Sequence, residues 1–496
     1  MGKIKDQTIK GSIYSYLGVG LGFIISGLVL PKLLTTGENG LLNLLLAYSS
    51  LFAQFATLGF GNATGRLFSW FRDEKSNHHG FIGLILLVVL VGFLLSLSAF
   101  FILKPEIISK GIKSSTLFAD YITFVIPLIF FNLLYLLLDV YFKMLYKTIV
   151  GTFLKEFLLR ILILIALLLY FLEVLSFREF IIAYVVANSL PAVFLFIYLI
   201  YQDGFRWRPE WSFIDRNMAK SLFNMSFYGI IVGFSSVMVL SIDRIMIDRM
   251  VGIEETGIYS ITFFFGTLVV IPARSLRKIA GTMLAEAWKQ NDMKVIREIY
   301  SKSIVNQLII GVLIFVGVWS NIHNVFEILP QEYERGKWVI FFVALTGLIE
   351  MSSGVSEILI QTSKYYRFSA VLNTLFLIFV VAFNFLFISQ YGLVGAAIAN
   401  AVAFVLNNTI RYWFIYNKFG LKPFNLTHVF VLFIGLAVYA VIQLIPPFTH
   451  YILDIAIRSS LITLIFVSAV YMFKLSPDLN QSIQTVLRQL RLFVKI

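Results

Sequence analysis

The 496-residue chain contains no cysteine. That excludes disulfide staples, thiolate metal sites and cysteine nucleophiles, while leaving the compartment open. Charge is scarce too: Asp, Glu, Lys and Arg make up 14% of the residues, against 59% hydrophobic ones. A soluble domain carries about 25% charged residues, so this composition does not build a water-facing surface around a single core. There are only five histidines. His78 and His79 share a polar turn and read as solvated, while His323, His428 and His450 lie apart at helix ends. This gives no metal-ligand spacing and no base paired with a nucleophile. A Gly-Lys-Ser/Thr loop for ATP phosphates is missing as well, and no cofactor is expected.

What the chain has instead is long hydrophobic runs, each near the roughly 20 residues that cross the hydrocarbon core of a bilayer. Fourteen are predicted. The first seven are Gly11–Leu33, Leu41–Phe60, Gly80–Leu103, Leu117–Tyr141, Val150–Leu172, Phe177–Tyr201 and Leu222–Met246. The remainder are Gly257–Met283, Ser303–Val325, Val339–Gln361, Phe368–Ser389, Gly392–Tyr416, His428–Ile445 and Tyr451–Phe473. The first run is too long for a signal-peptide core and lacks a small-residue cleavage site, so it is expected to remain as a helix.

Lys and Arg are retained in cytoplasmic loops, which gives a second reading independent of hydropathy. With the N-terminus inside, about 29 of the 40 basic residues fall on the inner side, about 10 on the outer side, and Arg160 within a span. Only Lys104, Lys110 and Lys113 run against the trend. An even number of spans places both termini in the cytoplasm. The net charge of +13 then reads as anchoring to anionic lipid rather than nucleic-acid binding.

The polar stretch Gln202 to Lys220 divides the chain. The expected organisation is an N-lobe over 1–201 with helices 1–6, a cytoplasmic linker over 202–220, and a C-lobe over 221–417 with helices 7–12. Helices 13–14 follow over 418–477, and an amphipathic cytoplasmic tail over 478–496. Trp207, Trp211 and Phe213 in the linker suit the headgroup level, and Ala285 to Ser301 has the mixed pattern of a surface helix. The tail repeats that pattern through Leu479, Ile483, Val486, Leu487 and Leu490. Two internal echoes support paired bundles. PKLLTTGENGLLNLLLAYSSLF from Pro31 aligns with DRMVGIEETGIYSITFFFGTLV from Asp248, placing Glu38 on Glu255 and Gly40 on Gly257; YVVANSL at Tyr184 matches AAIANAV at Ala396.

Three runs carry a family resemblance: GFIISGLVLPKLLTTGENGLLNLLLAYSSLFAQFATLGFGNATGRLF, SIDRIMIDRMVGIEETGIYS and QYGLVGAAIANAVAFVLNNTIRYW. Together they resemble the bacterial polysaccharide transporters, the O-antigen and capsule oligosaccharide-lipid flippases of the multidrug/oligosaccharidyl-lipid/polysaccharide exporter superfamily. The likeness covers essentially the whole chain. It implies an all-α polytopic membrane protein with two pseudo-symmetric bundles forming an inverted V around a central cavity. The implied cargo is a short glycan on a polyprenyl diphosphate, moved outward across the bacterial inner membrane. Membrane lipids, and glycan polymerase or other assembly enzymes, are the further partners it suggests.

An anionic diphosphate needs a basic route through hydrocarbon, so charges within spans are the candidates. Arg160 lies mid-span, one turn from Glu156, and pairing with it is the plain alternative; Arg244 has Asp248 at i, i+4. Arg274 follows Pro272, and Arg66 closes the second span; snorkelling to headgroups competes with substrate contact at both. Asp139, Glu350 and Glu357 are candidates for ion coupling, with interhelical salt bridges as the competing explanation. The first span carries Gly18, Gly20, Gly22 and Gly27 but no carboxylate between Gly11 and Leu30, unlike the cation site common in drug-exporting relatives. A catalytic membrane enzyme is disfavoured, because every outer connection is about 15 residues or shorter. Cation-coupled drug export and a non-transporting scaffold for glycan-assembly enzymes remain the alternatives.

Overall fold

The computed structural model describes residues 13–109 except 16, then 116–201, 207–422 and 424–485 except 482. The side chains at 274, 275 and 278 also lie outside the described set. The linker at 202–206, Lys110 and Lys113, and the amphipathic tail beyond 485 therefore lie outside the described residues. Everything described is helix, turn or coil, with no strand among the described residues.

In chain order the main helices are α1 Ile13–Leu33, α2 Thr36–Ala56, α3 Phe60–Phe71, α4 Phe81–Ser109, α5 Thr116–Met144 and α6 over 148–171. They continue as α7 Phe177–Ile200, α8 Arg216–Met250, α9 Ile253–Val270, α10 Ala273–Lys289, α11 Met293–Ser320, α12 Lys337–Ser352 and α13 Ser356–Thr362. The last four are α14 Tyr366–Tyr391, α15 Leu393–Phe419, α16 Leu426–Gln443 and α17 Tyr451–Met472. Eleven helices are long and apolar enough to cross a membrane, or thirteen when the bent pairs α2–α3 (44°) and α12–α13 (50°) each count as one span. The predicted fifth span is also helical, but it carries Lys155, Glu156 and Arg160 within six residues, too much charge for an ordinary lipid-facing segment. The protein is a multi-pass membrane protein.

Local chemistry fixes the helix starts. Thr35 and Glu38 form a reciprocal capping box at α2, with the Thr35 amide donating to Glu38 Oε2 at 2.8 Å; Ser176 and Glu179 repeat it at α7. Asp215 caps α8 by accepting from the Met218 amide at 2.6 Å. The break between α12 and α13 contains Gly354 at φ +60°, a conformation that residues with a β-carbon rarely adopt.

Two compact units result: Met1–Ile261 with Ile388–Leu393, and Thr262–Phe387 with Val394–Ile496. The first has one core around Leu41, Leu44, Ile129, Leu167 and Phe180 and another around Phe68, Phe71, Phe81, Leu138 and Phe142. In the second, Leu284, Ile296, Tyr300, Leu359 and Ile415 form one core, and Val431, Ile442, Ile462 and Phe466 another.

Several sequence expectations are corrected here. The predicted surface helix Ala285 to Ser301 is instead the end of α10, a turn at Asn291 with positive φ, and the start of α11 capped by Asp292. Ala287, Ile296 and Tyr300 are buried in the second unit's core, and Trp288 packs on Phe419. The Phe213 ring stacks on His79 at 3.6 Å, and His79 Nδ1 lies 3.1 Å from Glu210 Oε2, so this histidine is not simply solvated. Trp207 and Trp211 are exposed. In the same turn, the Ser76 hydroxyl and Lys75 amide donate to Asp73 and hold its carboxyl below the usual range. Arg411 is 4% exposed on α15 and Arg458 is 3% exposed on α17, so both charges are buried within helices.

Candidate functional site

A cavity of about 480 Å³ lies within the first unit, lined by α1, α2, α5, α6 and α7 with Val237 of α8 at its edge. Helical periodicity builds its polar lining. Ser49, Ser50 and Gln54 share a face of α2, Asn132 follows Leu128 by one turn on α5, and Asn188 follows Tyr184 by one turn on α7. Alpha-6 supplies the charge through Lys155, Glu156 and Arg160. Two cations and one carboxylate leave one net positive charge on these three groups.

Arg160 does two things at once. Its Nη1 donates to the Glu156 carbonyl at 2.6 Å and to Glu156 Oε2 at 2.8 Å, so the one-turn clip exists. The guanidinium nevertheless lines the cavity, and its remaining nitrogens have no hydrogen-bond partner among the described residues. Space for it comes from α1: a β-carbon at Gly18 would collide with Arg160 Nη1 and the Glu156 carbonyl, and one at Gly22 would stand 3.1 Å from Arg160 Nε. These two glycines therefore seat the arginine. Nothing lies within 4 Å of a β-carbon at Gly20.

Lys155 stands in the π-helical stretch of α6. Its Nζ sits 5.0 Å from the Tyr135 ring centroid, a cation–π contact, and it has no ion pair among the described residues. Tyr135 is itself fixed by donating to the Gly151 carbonyl at 3.0 Å. The chain is π-helical over Ile24–Val29 of α1 and Phe153–Leu158 of α6, the two π segments among the described residues, and both border this cavity. Such bulges concentrate at functional sites because they re-aim side chains out of the regular helical register.

The other predicted basic residues stand elsewhere. Arg66 is exposed on α3. Arg244 is half-buried on α8, donating from Nε to Ser260 Oγ at 3.2 Å and from Nη1 to the Leu240 carbonyl at 2.7 Å. Neither lines this cavity, and the side chain of Arg274 lies outside the described residues.

Among the acidic candidates, Asp139 pairs with Lys143 at 2.5 Å. Glu350 and Glu357 belong to one network in the second unit: Arg277 Nη2 donates to Glu350 Oε1 at 2.7 Å, while Arg411 lies 3.8 Å from Glu350 and 3.9 Å from Glu357. The shared face expected of these two glutamates is bent at the α12–α13 break, and Arg411 still spans both carboxylates. Missed by sequence reasoning were Lys155, Asn132, Asn188, Gln54 and the serines of α2. The three charges packed into one predicted span were the signal available for the first of these. Among the described residues no group of histidine, aspartate and glutamate side chains is arranged to hold a metal.

Solved structures share this fold. The lipid II flippase MurJ in its inward closed conformation matches with a TM-score of 0.75 over 94% of this chain and 100% of that one, at 15% identity. An inward-facing multidrug resistance MATE transporter of the MOP superfamily matches at 0.61, covering 82% of this chain and 94% of that one, also at 15% identity. A MOP superfamily transporter from Pyrococcus furiosus matches at 0.54 and 13% identity over 84% of this chain and 96% of that one. At these identities the likeness establishes the fold alone. No curated protein sequence matches. A family profile described as polysaccharide biosynthesis protein matches residues 8–281, more than half of the chain. The protein therefore belongs to the polysaccharide biosynthesis protein family and has the fold of MOP-superfamily transporters.

Proposed function

We propose that this protein is a flippase for polyprenyl-diphosphate-linked oligosaccharides. It carries an O-antigen, capsule or exopolysaccharide repeat unit from the inner to the outer leaflet of the bacterial cytoplasmic membrane. The observation that carries this reading is the placement of Arg160 and Lys155, with Glu156, in a cavity whose uncharged polar lining is hydroxyls and carboxamides set among aliphatic side chains. Charge-assisted donors at such a position suit a diphosphate, and the uncharged polar groups suit sugar hydroxyls. The polyprenyl tail stays in lipid, so only the head group needs a wet path. Transport proceeds by alternating access, with both termini in the cytoplasm as the distribution of lysine and arginine indicates. Family membership and the fold shared with a lipid II flippase add support.

The test is the appearance of lipid-linked glycan in the outer leaflet of cells, normalised to protein level. Replacing both cations, Arg160→Gln with Lys155→Gln, should lower delivery at least tenfold, the scale of losing one charge-assisted bond of about 1.5–3 kcal/mol. Undiminished delivery in the double variant would refute the reading, and export of an organic cation by the same cells would favour drug efflux instead.

A further inference from the structure

We propose that the second unit contains a separate binding site for one neutral sugar ring, in a cavity of about 260 Å³ at the α12–α13 break. The proposal rests on the reading of the protein as a glycan-lipid flippase and adds a glycan subsite to it. No ionised side chain lines this cavity, in contrast to the first unit's. Its polar wall is made of the side chains of Tyr300, Ser352, Ser353, Ser356, Thr409 and Tyr412, all hydroxyls, with the carboxamide of Asn408.

How those groups are already bonded decides what they offer. The Ser352 hydroxyl donates to the Ile349 carbonyl at 2.7 Å, Ser353 to the Glu350 carbonyl at 2.8 Å, and Thr409 to the Val405 carbonyl at 2.7 Å. Each has used its only proton within its own helix, so its oxygen faces a ligand as an acceptor. Asn408 is oriented the other way: its Oδ1 accepts from Arg411 Nη1 at 3.0 Å, which leaves the buried Nδ2 with two donors and no partner. Ser356 is 2% exposed and its Oγ also lacks a partner. A buried polar atom left in that state is destabilising unless something enters to satisfy it.

The pattern selects the ligand class. A phosphate needs donors alone and would face three acceptor oxygens. A metal cation would meet the Asn408 amide protons, and the nearby carboxylates of Glu350 and Glu357 are engaged by Arg277 and Arg411. A sugar hydroxyl both donates and accepts, and so fits both kinds of group. Ile304, Ile349 and Val405 provide apolar wall, beside Tyr412 stacked on Phe424 at 4.8 Å, which suits the C–H face of a pyranose. The volume lies below the roughly 300 Å³ at which pockets for drug-sized ligands begin, a size for one ring rather than an oligosaccharide.

The experiment uses the full-length protein in lipid nanodiscs and saturation-transfer difference NMR with the methyl glycosides of glucose, galactose and N-acetylglucosamine. At least one glycoside should receive saturation at its ring protons. The signal should fall at least fivefold in Ser356→Ala, which removes the orphaned hydroxyl without adding bulk, and in Val405→Trp, which fills the cavity from its half-exposed rim. No transfer to any of the three, or equal transfer in both variants, means that the cavity holds ordered water only and overturns the proposal. Glycan delivery in cells is measured alongside. Delivery without glycoside binding sinks this site alone, whereas glycoside binding without delivery keeps the site and sinks the flippase reading.

Discussion

Gly40 on α2 and Gly257 on α9 pack reciprocally, each against the other helix's backbone: Gly40 meets the Ile253 carbonyl, and Gly257 meets the Thr36 carbonyl and the Gly40 amide. These are the two glycines that the internal echo of the sequence superposes. The echo therefore marks a crossing within the first unit in which each helix contributes the same element to the other. Helix α2 is capped just before the contact by the Thr35–Glu38 box.

Adding a side chain at that crossing should be costly. Gly257→Val places methyl groups into backbone and is expected to destabilise by about 1–3 kcal/mol, the usual range for overpacking. The measurement is thermal unfolding of detergent-purified protein, with Gly40→Val giving a similar loss. Gly20→Ala serves as the comparison: a β-carbon there has open space, and the better helix former should leave stability unchanged or slightly raised. Equal behaviour of all three variants would show that the crossing carries no strain.

Arg160 offers a sharper test, because clip and cavity roles separate in a double variant. Arg160→Ala leaves Glu156 without its partner at 2.8 Å and should reduce both abundance and delivery. The pair is only partly buried, so the stability share is about 1 kcal/mol. Removing both side chains, Arg160→Ala with Glu156→Ala, should restore abundance while delivery stays low. Recovery of delivery in the double variant would reduce Arg160 to a structural clip. Arg160→Lys should rescue delivery in part, since it keeps the charge and loses the planar fork. Gly22→Val, which crowds the guanidinium from α1, should lower delivery with Arg160 intact.

Orientation can be checked on this naturally cysteine-free chain by single-cysteine labelling with a membrane-impermeant thiol reagent. Cysteines at Glu332 and Gln390, both exposed, should react from outside intact cells, and one at Glu74 should not. Labelling at Glu74 with protection of the other two reverses the proposed topology. Asn39 is unsuitable for this experiment although it follows an apparent turn: it is fully buried, and its Nδ2 donates to the carbonyls of Leu30, Leu34 and Thr35.

Asn39 illustrates how far the sequence could be read. Spans were legible because each one must satisfy its own backbone and present apolar side chains, which leaves a run of fixed length. The partner of a polar residue on another helix leaves no such trace. Asn132 and Asn188 fit a helix face equally well whether that face meets lipid, protein or a cavity, and only the crowding of Lys155, Glu156 and Arg160 into one span hints at the cavity. Arg411 looked like an anchor because it stands near the end of its span, yet its partners Glu350 and Glu357 come from helices more than fifty residues earlier. Arg458 was different: Asp454 precedes it at i, i+4 within an apolar run, and two charges in that spacing were a readable sign of a buried pair.

That pair supports the last prediction. Asp454 is fully buried and Arg458 is 3% exposed; Arg458 Nε donates to both carboxylate oxygens, at 2.9 and 2.8 Å. Arg458 also donates from Nη1 to the Ile442 carbonyl at 3.1 Å and from Nη2 to the Ile445 carbonyl at 2.7 Å, tying the end of α16 to α17. Asp454 gathers the Phe448 amide at 3.0 Å and Asn324 Nδ2 at 2.6 Å, with His323 Nε2 at 2.8 Å. One carboxylate thus organises three segments of the second unit. Asp454→Asn keeps the shape but strands a buried guanidinium, and is expected to cost about 3–5 kcal/mol. Arg458→Met should cost a similar amount by stranding the carboxylate. Because the double change Asp454→Leu with Arg458→Met leaves no buried charge, it should recover part of the loss, while the freed carbonyls of Ile442 and Ile445 prevent full recovery. Thermal unfolding of the purified variants measures all three. A double variant no more stable than either single one would mean that the network acts through its backbone contacts and not through the ion pair.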